Sequence, residues 1–169
     1  MIGVYLKLLN LPPYLRSKTE NIKLVMLIRD KYINRFGWKE VLKNLISDLK
    51  ILETEGITKI VDGEPTTYKG SLVIQNGDNI GAHQLGGFVE NFSTYLYFCR
   101  FCEVSSTELE EDALAVKPLR TEKSYKKCLK LSAKLKETIK GVKFDSPLNL
   151  LYISMFANQA CLHVLNPKK

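Results

Sequence analysis

Asp78, Cys99 and Cys102 have the residue types and spacing to do chemistry, and all three fall in the stretch from Tyr68 to Glu103, YKGSLVIQNGDNIGAHQLGGFVENFSTYLYFCRFCE. Leu72, Val73 and Ile74 form a β-prone apolar run, which the polar and glycine residues from Asn76 to Gly81 then break. An aspartate at the C-terminal mouth of a strand is where α/β sheets commonly place chemistry, so Asp78 is a candidate ligand for a divalent cation. On residue type alone, Gly-Asp-Asn favours a turn former over a metal ligand. Cys99 and Cys102 have the gap that lets two thiolates reach one tetrahedral ion, which makes them half of a zinc site. With only one such pair, the spacing by itself does not select zinc. His83 reads as a loop or helix-start residue. Phe88, Phe92, Tyr95, Tyr97, Phe98 and Phe101 read as core side chains before a base-stacking surface.

A second group is cationic. Lys123, Lys126, Lys127, Lys130, Lys134 and Lys136 crowd a segment, Thr121 to Lys140, whose apolar members Tyr125, Leu129 (or Cys128), Leu131, Leu135 and Ile139 suggest a helix. A solvated helix face is the first reading. A DNA-facing helix, binding through Lys123, Lys126, Lys127, Lys130 and Lys134, is the alternative, and a steep salt dependence would mark it. The whole chain carries 25 Lys and Arg against 18 Asp and Glu, a net charge of +7 that makes an acidic partner plausible, nucleic acid first. Lysine outnumbers arginine, which suits diffuse phosphate attraction better than base reading.

These groups need elements to hold them. Residues 2–9 read as a strand stopped by Asn10-Leu11-Pro12-Pro13, since two prolines remove donors and fix the backbone extended. A polar loop from Arg16 to Glu20 leads to a second strand at about 21–29, with Ile22, Leu24, Val25, Met26, Leu27 and Ile28 expected to be buried on both faces. In residues 38–55, Trp38, Val41, Leu42, Leu45, Ile46, Leu49 and Leu52 recur at three- and four-residue steps, which predicts one amphipathic helix closed by Gly56. Ile57 to Val61 is a short strand turned at Asp62-Gly63-Glu64-Pro65, and Thr66 to Gln75 returns as its partner or neighbour. Ser105 to Asp112 is an acidic turn or short helix. The order is that of a mixed α/β domain without repeats.

At 169 residues the chain is long enough to bury a core, and 45% apolar with 25% charged residues is a soluble globular balance. No apolar run approaches the length of a membrane span, so no membrane partner is expected. The N-terminus lacks the basic flank and cleavage site of a secretory signal, which predicts an intracellular protein. In a reducing compartment, four cysteines do not form a disulfide scaffold.

Three ordered blocks, NLPPYLRSKTENIKLVMLI (10–28), WKEVLKNLISDLKILETEGI (38–57) and NGDNIGAHQLGGFVENFSTYLYFCRFC (76–102), together resemble the catalytic region of CACTA (En/Spm-like) DDE transposases, the animal element-encoded type above all. The likeness covers about residues 3–149. It implies an RNase H-like core in which three carboxylates hold two Mg²⁺ or Mn²⁺ ions that cut and join DNA. Asp78 matches the second carboxylate, and Cys99 and Cys102 match a Cys pair taken as half of a zinc site completed downstream.

The departures from that pattern bound the function. The family's first Asp lies upstream of the segment matching 2–9 and its Glu lies beyond residue 169; Asp30 and Asp48 are poor substitutes, one after a strand and one inside a helix. One carboxylate of three cannot hold two metals, because each ion needs several oxygen ligands. The expected fold is therefore an incomplete RNase H-like mixed sheet with flanking helices, a Cys-containing insertion and a lysine-rich C-terminal helix. Its expected parts are a partial core at 1–104, an acidic loop and basic helix at 105–149, and a tail at 150–169. That tail is expected to be frameshifted or disordered, because codons for ISMFANQACLHV (153–164), read one base out of register, can spell the family's His- and Cys-bearing segment. Cys161 and His163 would then have no inherited role.

The expected function is that of a transposase fragment, nuclear if functional. Asp78 would be vestigial, catalysis absent, and DNA or a full-length transposase the partner. One alternative is a nucleic-acid-binding or regulatory domain without catalysis. Another is a metal-dependent nuclease completed by a partner chain. An unrelated interaction domain would make all three blocks coincidental.

Overall fold

The structure is a computed structural model that describes residues 1–73, 77–92, 94–112 and 118–151. The tail from residue 152, with Cys161 and His163, and Ile74 and Gln75 of the expected strand lie outside the described residues. The chain forms two compact units, which among the described residues are 1–73 with 150–151, and 77–149. The Cys pair and the lysine-rich segment therefore belong to the same unit.

In the first unit, β1 (Ile2–Lys7) pairs antiparallel with β2 (Ile22–Ile28). Tyr5 faces Leu24 and Val4 faces Met26, so Val25 is an extra residue that bulges the ladder. The connection carries a one-turn helix, α1 (Pro13–Arg16), opened by Pro13, whose missing N–H costs nothing at a helix start. The run Ile22–Ile28 was expected to be covered on both faces. Only Ile28 is buried, while Leu24, Val25 and Leu27 are exposed. An all-apolar strand needs a layer on each side, and two strands by themselves supply none.

α2 (Asp30–Val41) and α3 (Lys43–Thr54) follow. Gly37, at φ 75° and ψ 161°, breaks α2 into a first part ending at Phe36 and a second starting at Trp38. From Trp38 onward the expected stripe holds. Leu42 N–H donates to Trp38 O at 3.0 Å and Ile46 N–H to Leu42 O at 2.9 Å, which carries the helix across Leu42. Trp38, Leu42, Ile46 and Leu49 are buried. Gly56 ends it at φ 87°, where a Cβ would meet Tyr68 O at 2.6 Å. The segment Asp30–Phe36 was not anticipated as a helix.

β3 (Ile57–Val61) and β4 (Glu64–Tyr68) make a two-residue hairpin through Asp62 and Gly63, both at positive φ. β4 ends at Tyr68, and Leu72 and Val73 are irregular, so the strand expected to run to Gln75 stops short. The described strands form two antiparallel pairs, not one mixed sheet.

The second unit holds α4 (Asn79–Gly86), α5 (Ser106–Glu111) and α6 (Glu122–Leu135). Its core is Phe88, Tyr125, Cys128 and Val142, with Leu129 and Ile139 against it. Lys136 adopts a left-handed conformation and ends α6 well before Lys140, so Ile139 packs from a turn beyond the helix. Leu131 and Leu135 are exposed, because the buried face runs through Tyr125, Cys128 and Ser132 and leaves both to one side. Two segments distant in sequence close the unit: Val89 N–H donates to Gly141 O at 2.9 Å and Lys143 N–H to Gly87 O at 2.8 Å.

Candidate functional site

Asp78 does not stand at a strand mouth. It is the N-cap of α4, and its Oδ1 accepts from Gly81 N–H at 2.6 Å, on the exposed surface. The carboxylate satisfies one of the orphan amides of the first turn and faces the positive end of the helix dipole. This is the turn-forming role that its residue type favours. Gly87, at φ 73°, closes the other end of α4 where a Cβ would meet Phe144 O at 2.0 Å.

His83 is not at a loop or helix start but buried in the last turn of α4. Its Nδ1 lies 2.6 Å from Val89 O and its ring meets Phe92 edge-on at 4.8 Å, with Phe88 beyond at 5.9 Å. Burial is the largest influence on the imidazole and lowers its pKa, outweighing the contact with the Val89 carbonyl. A neutral ring with Nδ1–H donating to that carbonyl is the species this site holds. Of the expected core aromatics Phe88 is buried and Phe92, Tyr97 and Phe98 are half-buried. Tyr95 and Phe101 are exposed. The Phe101 ring lies beneath the Arg100 guanidinium at 4.4 Å, outside the core.

The Cys pair is ordered by its own backbone. Phe101 N–H and Cys102 N–H both point at Cys99 Sγ from 3.4 Å, which turns the loop around that sulfur. Burial raises the Cys102 pKa, and the neighbouring Cys99 thiol raises it further. Arg120 pins the loop from behind. Its Nε donates to Cys99 O at 3.0 Å, its Nη2 to Lys140 O at 2.5 Å, and its backbone N–H to Phe101 O at 2.7 Å. The residue is only 5% exposed, and its Nη1 has no partner among the described residues. Glu103, its pKa lowered first by its hydrogen bond to Lys140, offsets in part the desolvation of that guanidinium. No sequence pattern singled out Arg120. The signal available was a lone arginine in a lysine-rich neighbourhood, which suits a buried multi-carbonyl clamp better than lysine does.

The loop and α4 are tied at one further point, where Arg100 Nη1 donates to Asn79 Oδ1 at 2.6 Å, one residue from Asp78. The metal chemistry expected of these residues can be tested against their donors. Among the described residues no three His, Cys, Asp or Glu side chains converge. Cys99 and Cys102 give two of the four donors of a structural zinc site, and Cys128 is committed to the core. Asp78, one carboxylate already engaged by Gly81, does not make a two-Mg²⁺ or two-Mn²⁺ site.

Lys123, Lys126, Lys127, Lys130 and Lys134 are all exposed on α6. At about 100° per residue they fall within roughly a 100° arc opposite Tyr125, Cys128 and Ser132. Lys126 is ion-paired with Glu122, one turn earlier; the other four have no ion-pair partner among the described residues. Thr121 and Ser124 cap the helix reciprocally, which fixes where this cationic face begins. No protein-family model, no curated protein and no solved structure matches this chain.

Proposed function

We propose that this chain derives from the catalytic region of a CACTA-type DDE transposase, of RNase H-like ancestry, and acts by binding DNA without cutting it. The observation that carries the binding reading is the face of α6. Five lysines lie on one side of a capped helix whose opposite side is locked into the core by Tyr125 and Cys128. A face so anchored presents its charges to phosphates at small entropic cost, and with no side chain built to read bases it would bind without sequence preference. The loss of catalysis is supported by Asp78, which caps α4 where the ancestral carboxylate would hold metal. Zinc at Cys99 and Cys102 is proposed only as a site finished by donors from elsewhere. A nuclear location and association with an intact transposase follow from the same ancestry.

The test is duplex DNA binding as a function of salt. Binding should weaken along a linear log–log plot, and changing Lys123, Lys127, Lys130 and Lys134 to Gln should reduce its slope by up to about 3.6. Sequence changes in the duplex should have little effect. An unchanged slope would exclude α6 as the contact surface. Strand cutting with Mg²⁺ or Mn²⁺ that disappears in Asp78→Ala would overturn the non-catalytic reading and favour a nuclease completed by a partner.

A further inference from the structure

The first part of α2, Asp30 to Phe36, contributes no buried residue to the fold. Seven residues of helix have little stability by themselves, yet this segment carries two large rings turned outward. Tyr32 is 44% and Phe36 51% exposed. One helical turn apart, they lie nearly parallel, 19° between planes and 6.3 Å between centroids. Each has a cation over it, Lys31 Nζ at 5.3 Å from the Tyr32 ring and the Arg35 guanidinium at 5.1 Å from Phe36. Arg29 and Lys39 flank the segment. Its one acid, Asp30, is ion-paired with the N-terminal ammonium at 3.2 Å.

We propose that Tyr32 and Phe36, with Lys31 and Arg35, form a stacking site for single-stranded nucleic acid. Two parallel rings exposed in series offer π-faces to successive unpaired bases, which any base can use. The cations decide the ligand class. A neutral apolar partner would have to displace two charges from the rings with nothing to neutralise them. A nucleic acid strand brings a phosphate with each base, so Lys31 and Arg35 can swing from the ring face to the phosphate as the base enters. Stacking of a base outweighs the exposed cation–π contact that it replaces. Gly37 makes the arrangement possible. Its φ of 75° and ψ of 161° lie in a region open only to glycine, and they part this segment from the helix that packs through Trp38. The site belongs to the first unit and the α6 lysines to the second, and it rests on no transposase ancestry.

The full chain should bind a fluorescein-labelled oligothymidine of about 15 nucleotides. Tyr32→Ala with Phe36→Ala should weaken that binding by about tenfold or more at every salt concentration while leaving the salt slope unchanged. Lys31→Gln with Arg35→Gln should instead reduce the slope by about 1.4. Tyr32→Phe should retain affinity, and duplex binding should stay within about twofold in the ring variant. All these positions are exposed, and circular dichroism of each variant checks that the fold is kept. The proposal is overturned if oligothymidine does not bind, if the ring variant binds it within about twofold of the parent, or if duplex affinity falls by the same factor. It is also overturned if the only effect of removing the rings is loss of self-association in sedimentation, which would make a second copy the occupant. The α6 lysine variants, measured on the same oligothymidine, separate failure here from failure of the duplex-binding reading.

Discussion

The hydroxyl of Tyr125 lies within 3.2–3.3 Å of Gly86 O, Phe144 O and Ser146 N, so one buried oxygen serves groups from both ends of the second unit. Tyr125→Phe removes that hydroxyl and leaves Ser146 N–H short of an acceptor; a loss of about 1–2 kcal/mol in urea unfolding is expected. Burial pushes the Tyr125 pKa up to about 12 from an ordinary value of 10, because the phenolate is poorly solvated there. A raised value in the folded state means that the neutral form is favoured by folding. Its contribution is complete below pH 10 and is lost as pH rises through 12, and the advantage of the parent over Tyr125→Phe should vanish over that window. His83 has the opposite sign. Its value is lowered from 6.5 by burial, so its contribution is complete above pH 6.5 and lost as pH falls through the depressed value. Proton NMR should find the ring titrating below 6.5, and a midpoint above 6.5 would contradict the buried, neutral imidazole.

At the scale of elements, two glycines with similar φ test what their surroundings contribute. Gly63, at φ 85° in the β3–β4 turn, has open space where a Cβ would go, whereas Gly87 would press one into Phe144 O. Gly63→Ala should cost about 1 kcal/mol of conformational strain. Gly87→Ala should cost more than about 3 kcal/mol, since backbone must move. Chemical unfolding of both variants gives the comparison directly. The elements legible in the sequence were those with a repeating apolar signal. The stripe from Trp38 to Leu52 placed a helix with its stop at Gly56, and Ile57–Val61 with Asp62-Gly63 placed a hairpin arm and its turn. Leu72 and Val73 misled because a β-prone apolar run says nothing about whether a neighbouring strand exists to pair with. α4 escaped notice because its period is blurred by glycines, and only Asp78 and Gly87 mark its ends. Arg120 and the burial of His83 were illegible for a different reason. Both depend on carbonyls supplied by residues far along the chain, or across a turn, whose positions no local pattern encodes.

For the whole molecule, charge and exposed apolar surface act against each other. Tyr5, Leu24 and Leu27 project from a two-stranded sheet with no further strand on either edge among the described residues, which is an opportunity for pairing between chains. A net charge of +7 keeps copies apart at neutral pH, and that protection fades near the isoelectric point of about 9.2 or at high salt. Light scattering should therefore rise as pH approaches 9 or as salt is added. Tyr5→Lys with Leu24→Lys should suppress the rise with little change in unfolding free energy. The pairing of Phe88 with Val142 and of Gly87 with Lys143 has a further consequence, in time. A ribosome delivers the β1–β2 hairpin complete by Ile28 and the first unit's strands and helices by residue 73, but the second unit cannot close until Val142 and Lys143 have emerged. At 5–20 residues per second the intervening stretch of about 70 residues takes roughly 4–14 s to synthesise. Throughout that interval the nascent chain carries a hairpin with exposed apolar residues while the core of its second unit is still unmade, and a chaperone that recognises apolar strands would meet this protein there first.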